Sequence, residues 1–449
     1  MASGPRPDAR RLVFAYDVVC PYAYLASRRV AALGRAAGLA VEWLPVLLGG
    51  LYAASQAPQG AGGSATDLFN EAKKALSARD LAREAERWDV PLRWNVRHPV
   101  RSVEAQRLQC AVADGAARER LAHALFHAYW VQGRDISDAT TLREIASQHA
   151  GVPNGAALYA DEGAKAALRA NTEWVAARGG FGVPSLVATD AAGEERLFFG
   201  QDRTFFAALH LGVPGSHSLA RPLQLRPVPG ADEARAPPRG APELHVFHDF
   251  SSPWSFLGST QALRVAGSHG AVLRWRPVLL GALFKAIGTP NVPMLAISEA
   301  KRAYGSLDLA DFSKLFGNIL LRFPEGFPIR TVLPLRVSLL EPKAVPLLYH
   351  AAWVQGRNIG EERVLREVLA AAGLDADRLV RDANAEDVKE ELKNNTLELE
   401  KLGGCGVPTW QVRTAAGDSR SEIVWGQDRL NVVSDMLAQE RERSSAANL

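Results

Sequence analysis

The sequence predicts a duplicated α/β protein in which each copy runs strand–helix–strand, helical insert, strand–strand–helix. Three observations support this fold class. With 449 residues, the chain is about twice the size of a comfortable single domain. The same motifs occur twice in the same order. Each copy opens on a short apolar run and closes with Gly-Val-Pro and Gly-Gln-Asp-Arg.

The repeat extends over both halves of the chain. LVFAYDVVCPYAYLA, from Leu12, matches LHVFHDFSSPWSFLG, from Leu244, at a spacing of 232 residues. VEWLPVLLGGLY matches LRWRPVLLGALF, and NEAKKALSARDLA matches SEAKRAYGSLDLA. YWVQGRDI matches AWVQGRNI, and FFGQDR matches VWGQDR. Chance does not preserve this many motifs in order, so each half is a copy of one unit.

The domain boundaries follow from the repeat and from the proline content. We expect a first domain at 1–213, a linker at 214–242, a second domain at 243–438 and a frayed tail at 439–449. The linker contains RPLQLRPVPG and RAPPRGAP. Repeated proline favours an extended backbone, so the linker is predicted to be a semi-rigid spacer.

Each element of a copy has a reason in the sequence. An apolar run predicts the first strand, a Pro after Cys20 or Ser252 predicts a helix start, and Trp43 or Trp275 marks the second strand. A strand opening at Gly-Val-Pro, a partner strand ending at Gly-Gln-Asp-Arg and a last helix complete the copy. This order is typical of a thioredoxin-like fold with a helical insert. The first strands are expected at 12–18 and 244–250, and the helical inserts at about 68–178 and 298–402.

Composition excludes several classes of function. The net charge of +3 and the lack of a dense basic stretch argue against nucleic-acid binding. No apolar stretch approaches the ~20 residues that span a bilayer. The three cysteines form no C-x-x-C, and the first residues lack the apolar core of a signal peptide. We therefore expect a cytoplasmic protein without a disulfide framework.

The junction between first strand and first helix is the first candidate site. Cys20-Pro21 in the first copy and Ser252-Pro253 in the second place a thiol or a hydroxyl at a helix N-terminus. The free backbone N–H groups there favour a thiolate, and a hydroxyl can donate to a bound thiolate. A packed small residue at Cys20 and an ordinary N-cap at Ser252 are the structural alternatives.

Two further motifs lie near the end of each copy. Pro184 and Pro408 of Gly-Val-Pro are candidates for cis proline, which leaves the preceding backbone free to pair with an extended ligand. An edge-strand proline is the alternative. Asp202 and Asp428 of Gly-Gln-Asp-Arg are predicted to cap the last helix, whose N-terminus is also able to bind a carboxylate.

Charged residues on the insert give weaker signals. Lys73 and Asp80, like Lys301 and Asp308, are seven residues apart on one helix face, for which a solvated surface is the usual explanation.

No metal site is expected. His123 and His127 have the i,i+4 spacing of metal ligands but no acidic third partner. Cys405 stands where the first copy has Phe181 and is interpreted as a packing residue.

Taken together, DFSSPWSFLG, RPVLLGALFKAIG, EAKRAYGSLDL, AWVQGRNI, GCGVPTW and VWGQDR, with their partners in the first copy, resemble one family. It comprises the 2-hydroxychromene-2-carboxylate isomerases and kappa-class glutathione transferases, within the broader DsbA-like group. The resemblance implies two DsbA-like thioredoxin domains in tandem, glutathione as cofactor, and a small aromatic or hydrophobic electrophile as substrate. It also implies an intramolecular pseudo-dimer of the two repeats.

The resemblance also assigns site residues. Ser252 would hydrogen-bond the sulfur of glutathione, and Cys20 takes its place in the first copy. The cofactor-binding residues of the second copy would be Thr289, Lys301, Asp308, Val407, Pro408, Gln427 and Asp428. Those of the first copy would be Lys73, Asp80, Val183, Pro184, Gln201 and Asp202.

The first copy departs further from the family pattern than the second. Cys20 replaces the serine, and Ala23 stands where a DsbA-like enzyme has its second cysteine. Leu76 replaces the tyrosine found at Tyr304. Two alternatives to the isomerase or transferase therefore stay open. One is a thiol–disulfide oxidoreductase or glutaredoxin-like enzyme acting through Cys20, and the other is a thioredoxin-fold binding scaffold without catalysis.

Overall fold

The structure is a computed structural model that describes residues 10–60, 62–150, 160–214, 240–290, 292–414 and 422–446. Most of the segment predicted as a linker lies outside the described residues, as does the end of the predicted tail.

Each copy contains a four-stranded mixed sheet. In the first copy the order is β2-β1-β3-β4, with β1 parallel to β2 and the other pairs antiparallel. The second sheet repeats this arrangement as β6-β5-β7-β8. The predicted fold class is confirmed. The strands are β1 (Arg11–Tyr16), β2 (Val41–Pro45), β3 (Ser185–Thr189), β4 (Glu195–Phe199), β5 (Glu243–His248), β6 (Val272–Pro277), β7 (Thr409–Arg413) and β8 (Ile423–Trp425).

Helices follow the strands in the same order in both copies. Those of the first copy are α1 (Pro21–Ala37), α2 (Leu48–Ala54), α3 (Glu71–Arg87), α4 (Val103–Ala111), α5 (Gly115–Trp130), α6 (Ala139–Ala150), α7 (Glu162–Ala176) and α8 (Thr204–His210). Those of the second copy are α9 (Pro253–Ser268), α10 (Leu280–Ala286), α11 (Glu299–Leu315), α12 (Val332–Leu340), α13 (Ala344–Trp353), α14 (Glu362–Ala371), α15 (Ala376–Asp382), α16 (Glu386–Lys401) and α17 (Leu430–Ala446). The last helix runs through 439–446, so the tail prediction is wrong for these residues: the chain continues to form helical hydrogen bonds there.

A buried tryptophan ties the helical insert to the junction in each copy. The indole N–H of Trp130 donates to the carbonyl of Val18 at 2.9 Å, and that of Trp353 donates to the carbonyl of Phe250 at 2.8 Å. Both indoles are fully buried. A buried indole needs a hydrogen-bond partner, so these bonds fix the loop just before each helix start.

Each compact unit of the chain takes in a short segment from the other copy's sequence. The first unit comprises Met1–Leu68, Arg79–Pro222 and Met294–Gly305, and the second comprises Phe69–Ala78, Leu223–Pro293 and Ser306–Leu449. Leu76, for example, is 5% exposed and packs in a core cluster with Phe247 and Val407 of the second unit. The start of α3 therefore belongs to the second unit and the start of α11 to the first.

Candidate active site

Ser252 caps the N-terminus of α9 in the second unit. Its Oγ accepts a hydrogen bond from the backbone N–H of Ser255 at 3.2 Å, and Pro253 occupies the first helical position. The N-cap that was the structural alternative at Ser252 is therefore present. The same Oγ lies 3.5 Å from the carbonyl oxygen of Val407. The hydroxyl donates to this carbonyl through a long hydrogen bond, for which a bound ligand atom would compete.

Cys20 occupies the equivalent position in the first unit but behaves differently. Its thiol makes no cap bond and donates to the carbonyl of Val183 at 3.2 Å. Burial raises the pKa of Cys20 to about 12, and the nearby backbone N–H groups of Ala23 and Tyr22 lower it by less. We expected the helix N-terminus to favour a thiolate, but desolvation dominates here, so Cys20 is a thiol at neutral pH.

A buried carboxylate lies three residues before each helix cap, a feature that sequence reasoning missed. Asp249 accepts hydrogen bonds from the N–H of Leu280 at 2.9 Å and from the hydroxyl of Thr331 at 2.7 Å. Asp17 likewise accepts from Leu48 and Ser102, both at 3.0 Å. Burial raises the pKa of Asp17 to about 6, and it also raises that of Asp249. Each carboxylate joins the first strand, the second helix and the insert. The sequence signal was an Asp at the end of the first strand of both copies.

The Gly-Val-Pro motif packs directly beside these helix starts. The peptide bonds Val183–Pro184 and Val407–Pro408 are both cis, as the first interpretation of the motif proposed. The carbonyl of each proline accepts a backbone hydrogen bond from the Gly of Gly-Gln-Asp-Arg at 2.9 Å. Helix start, cis proline and Gly-Gln-Asp-Arg therefore form one continuous surface in each unit.

The Gly-Gln-Asp-Arg turn of the second unit keeps its polar groups close to this surface. Gly426 has φ +109°, and a Cβ there would lie 2.5 Å from a carboxylate oxygen of Asp428, so only glycine fits. Gln427 is 5% exposed, and its side-chain amide has no hydrogen-bond partner within the described part of the chain. Asp428 pairs with Arg429 at 3.2 Å.

The prediction that Asp202 and Asp428 cap the last helix is wrong. Both lie inside a short 3₁₀ helix, Gln201–Arg203 or Gln427–Arg429, that precedes the last helix. In the first copy Arg203 is the cap residue of α8. The tight 3₁₀ turn leaves each carboxylate beside its own glycine instead.

Lys73 and its neighbours belong to the second unit, whereas the sequence grouped them with the first site. The Nζ atom of Lys73 lies 4.1 Å from the ring centre of Phe69 and 5.8 Å from that of Trp425, the residue before Gly426. Burial lowers the pKa of Lys73, and the nearby Cys405 raises it. Sequence reasoning missed the adjacent Asn70, whose amide donates to Thr289 Oγ1 at 3.0 Å in this unit.

The reciprocal segment places Lys301 in the first unit. Three residues later, the Tyr304 hydroxyl accepts from the N–H of Phe199 at 3.0 Å, and its ring lies 5.6 Å from that of Phe181. The two aspartates stay with their own copies: Asp80 lies in the first unit and Asp308, which is buried, in the second.

A charged cluster surrounds the Gly-Gln-Asp-Arg turn of the first unit. The Gln201 amide nitrogen donates to Glu84 at 2.8 Å, and the Arg29 guanidinium donates to both the carbonyl and the side-chain oxygen of Gln201. Arg29 also stacks 4.1 Å above the ring of Trp88. Sequence reasoning missed this cluster, since its members come from three separate segments.

The remaining candidates have structural explanations. The ring of His123 lies 4.9 Å from that of Trp43, and burial lowers the pKa of His123 to about 4. Within the described residues no group of three His, Cys, Asp or Glu side chains is arranged to hold a metal ion. Cys405 lies in the core cluster that contains Val407, as a packing residue should. In the same part of the chain, no helix combines the length and the apolar character that a membrane crossing requires.

Comparison with known proteins identifies the family. The model of the DSBA-like thioredoxin domain matches the chain twice, over residues 11–212 and 243–438. The chain belongs to the DsbA-like thioredoxin family. Because the two matches cover both repeats, this DsbA-like chain is a tandem duplication of one domain.

Relatives of this DsbA-like chain correspond to single copies. Glutathione S-transferase kappa 2 of Caenorhabditis elegans is 25% identical over 210 residues, which are 44% of this chain and 92% of the relative. 2-Hydroxychromene-2-carboxylate isomerase of Pseudomonas putida is 26% identical over 191 residues, 42% of this chain and 90% of the relative. A solved 2-hydroxychromene-2-carboxylate isomerase is 21% identical, with a TM-score of 0.40, over 45% of this chain and 98% of its own. Homologues named as transferases and isomerases indicate an enzyme.

Proposed function

We propose that the second unit binds glutathione and catalyses isomerisation or group transfer on a small aromatic or hydrophobic electrophile. The observation that carries this proposal is the placement of the Ser252 hydroxyl. It caps a helix N-terminus and lies 3.5 Å from the carbonyl of Val407, the residue before a cis proline. Relatives named as kappa-class glutathione transferases and as 2-hydroxychromene-2-carboxylate isomerases support the same reaction class.

The residues at this surface fit a tripeptide thiolate of net negative charge. The Gln427 amide, without a protein partner among the described residues, is able to receive the γ-glutamyl group beside Asp428. The backbone of Val407 would pair with the cysteinyl part. The cation of Lys73, half-buried beside Trp425, favours a carboxylate in its neighbourhood.

Glutathione supplies a soft sulfur nucleophile when it is bound. The Ser252 hydroxyl donates a hydrogen bond to the sulfur, and the N-terminus of α9 adds its positive dipole end. Both stabilise the charged form of the sulfur over the neutral form, so they lower the pKa of the bound thiol. The indole of Trp254, the second residue of α9, offers an apolar surface to an aromatic substrate near this N-terminus.

The alternative of an oxidoreductase acting through Cys20 has less support. The buried thiol donates to Val183, and its pKa of about 12 leaves almost no thiolate at neutral pH. Ala23 is completely buried where a resolving cysteine would stand. The alternative of a scaffold without catalysis remains a prediction, and so do the cytoplasmic location and the internal pseudo-dimer.

Calorimetric titration of reduced glutathione into the full chain tests the proposal. We expect wild type to bind and Ser252→Ala to bind at least about tenfold more weakly at pH 7, because a charge-assisted hydrogen bond is worth about 1.5–3 kcal/mol. Ser259→Ala is the matched control, since this hydroxyl donates only to the carbonyl of Phe256 in the same helix. No binding at millimolar glutathione, or loss of activity in Cys20→Ser but not in Ser252→Ala, would contradict the proposal. Turnover in a protein disulfide reduction assay would favour the oxidoreductase.

A further inference from the structure

We propose that the chain binds one glutathione, in the second unit, and that Arg29 and Glu84 close the γ-glutamyl position of the first unit. This inference rests on the proposed function and deepens it, because it assigns different ligand specificities to two copies of one fold.

The amide of Gln201 is fully engaged within the first unit. Its nitrogen donates to the Glu84 carboxylate at 2.8 Å, and its oxygen accepts from the Arg29 guanidinium. Gln201 is 2% exposed and Glu84 is 5% exposed, so neither bond is easily replaced by water. A ligand that needed this amide would have to break two hydrogen bonds to charged groups, which cost about 1.5–3 kcal/mol each.

Arg29 also acts on the neighbouring carboxylate. Burial lowers the pKa of Arg29 to about 10, whereas the charges of Glu84 and Asp202 raise it. Arg203 pairs with Asp202 at 2.9 Å just as Arg429 pairs with Asp428 at 3.2 Å, so Arg29 is the cation that the first unit has in addition. With the added charge of Arg29, Asp202 attracts the ammonium of a γ-glutamyl group more weakly than Asp428 does. The Arg29 guanidinium carbon also lies 4.1 Å from the centre of the Trp88 ring, and this cation–π contact helps to hold Arg29 in place.

The second unit has neutral residues at the equivalent positions. Gln261 stands in place of Arg29 and Phe312 in place of Glu84. The Gln261 oxygen accepts from Arg264 at 2.7 Å, and Phe312 packs at 5.6 Å from the ring of Phe316. Neither side chain bonds to Gln427. Among the described residues of the second unit its amide therefore stays available.

The two units therefore differ in whether they bind glutathione, so the number of molecules bound per chain is one and not two. Both units present a cis proline and a helix N-terminus to a peptide. Within the part of the chain that the structure describes, the second unit combines them with a glutamine amide that has no protein partner, and the first does not. A ligand with a γ-glutamyl end is therefore accepted once per chain.

Equilibrium dialysis of the full chain against radiolabelled reduced glutathione at pH 7 measures the number of sites. We expect one equivalent at saturation for wild type, and none at the same concentrations for the isosteric Asp428→Asn. Two equivalents in wild type, or one equivalent retained by Asp428→Asn, would overturn the inference. No binding in wild type would instead contradict the proposed function and the inference with it, so the two failures are distinguishable.

A gain-of-site variant tests the role of the charged cluster directly. Arg29→Gln with Glu84→Phe gives the first unit the residues of the second, and we expect the stoichiometry to rise from one to two. The milder pair Arg29→Gln with Glu84→Gln removes both charges without adding volume, and it replaces the first pair if circular dichroism shows that the phenylalanine is not accommodated. The neighbouring exposed residues serve as the control pair, Arg28→Gln with Glu86→Gln, which should stay at one equivalent. A folded variant that remains at one equivalent would show that Arg29 and Glu84 do not close the site.

Discussion

The N-termini of α1 and α9 have the same backbone conformation but different side chains at the cap position. Both begin at a proline after an extended cap residue, and both contact the carbonyl before a cis proline. Both side chains donate to this carbonyl, the Cys20 thiol at 3.2 Å and the Ser252 hydroxyl at 3.5 Å, but of these two only Ser252 also accepts a helix-cap bond. A repeated fold thus constrains the backbone of a site much more strongly than the side chains that give it specificity.

What both copies keep is the scaffold behind the junction. The insert tryptophan, the buried carboxylate and the turn glycine occur in each copy, and the hydrogen bonds of the first two have nearly equal lengths in both. Each of these groups satisfies a buried polar atom or a backbone conformation, so its loss costs stability in either copy. Such pairs are Trp130 and Trp353, Asp17 and Asp249, and Gly200 and Gly426.

The largest effect is expected from the insert tryptophans. Trp353→Ala should lower the free energy of unfolding of the second unit by about 3–5 kcal/mol, because it leaves a cavity and an unpaired carbonyl at Phe250. Trp130→Ala should cost the first unit a similar amount. Urea unfolding followed by circular dichroism measures both. Trp94→Ala, whose side chain is 51% exposed, is the control and should cost clearly less. Equal losses in Trp94→Ala and Trp353→Ala would refute the shared scaffold.

The next largest difference is expected in how the free energy of unfolding of each copy depends on pH. His248 stands where the first copy has Tyr16, and burial lowers the pKa of His248 from 6.5 to about 3. The unfolded chain binds the proton more readily, so the stability from neutral His248 is complete above about pH 6.5 and is lost as the pH falls toward 3. Between pH 7 and pH 5 we expect a loss of about 2 kcal/mol from this residue.

His248→Tyr, which gives the second unit the residue of the first, should reduce that loss. The readout is the change in unfolding free energy between pH 7 and pH 5, which is independent of any constant packing cost. His350→Gln, at an exposed position of α13, is the control. An unchanged pH slope in His248→Tyr would show that another group titrates.

Substitutions at two adjacent lysines of α3 test whether the segment Phe69–Ala78, which belongs to the second unit, contributes to binding there. Lys73→Met should weaken glutathione binding about tenfold, or about 1.4 kcal/mol, because it removes a half-buried cation beside Trp425 in the second unit. Lys74→Met is the matched control, since Lys74 is exposed and pairs with Glu71 at 2.9 Å. If both substitutions have the same effect on the dissociation constant, the placement of Lys73 has no role in binding.

The smallest effect is expected at a surface ion pair whose polarity differs between the copies. Arg11 pairs with Glu42 at 2.6 Å in the first sheet, and the equivalent positions of the second sheet carry Glu243 and Arg274 at 2.7 Å. Arg11→Glu with Glu42→Arg should therefore change the free energy of unfolding by less than about 1 kcal/mol. Thermal unfolding measures the change. A larger loss would mean that this edge of the sheet depends on the sign of its charges.

Much of the fold was predictable because its signals are local and occur twice. The strand starts, the proline after Cys20 or Ser252, and the cis-proline motif were all placed within a few residues. The caps of the last helices were mispredicted because a 3₁₀ turn and an α-helix share the same Asp signal. The sequence left open whether Cys20 is a reactive thiolate or a packed residue, because burial, which raises the pKa of a thiol, depends on packing and not on the adjacent residues.

The sequence by itself determined the duplication, the order of elements and the position of both helix starts, because motif order and hydrophobic pattern are properties of the linear chain. Only the tertiary structure decided to which unit Lys73 belongs and that Arg29, Glu84 and Gln201 lie together. These residues come from segments that are far apart in the sequence. Their contacts depend on how whole helices pack, and a repeat aligned with itself contains no information about that packing.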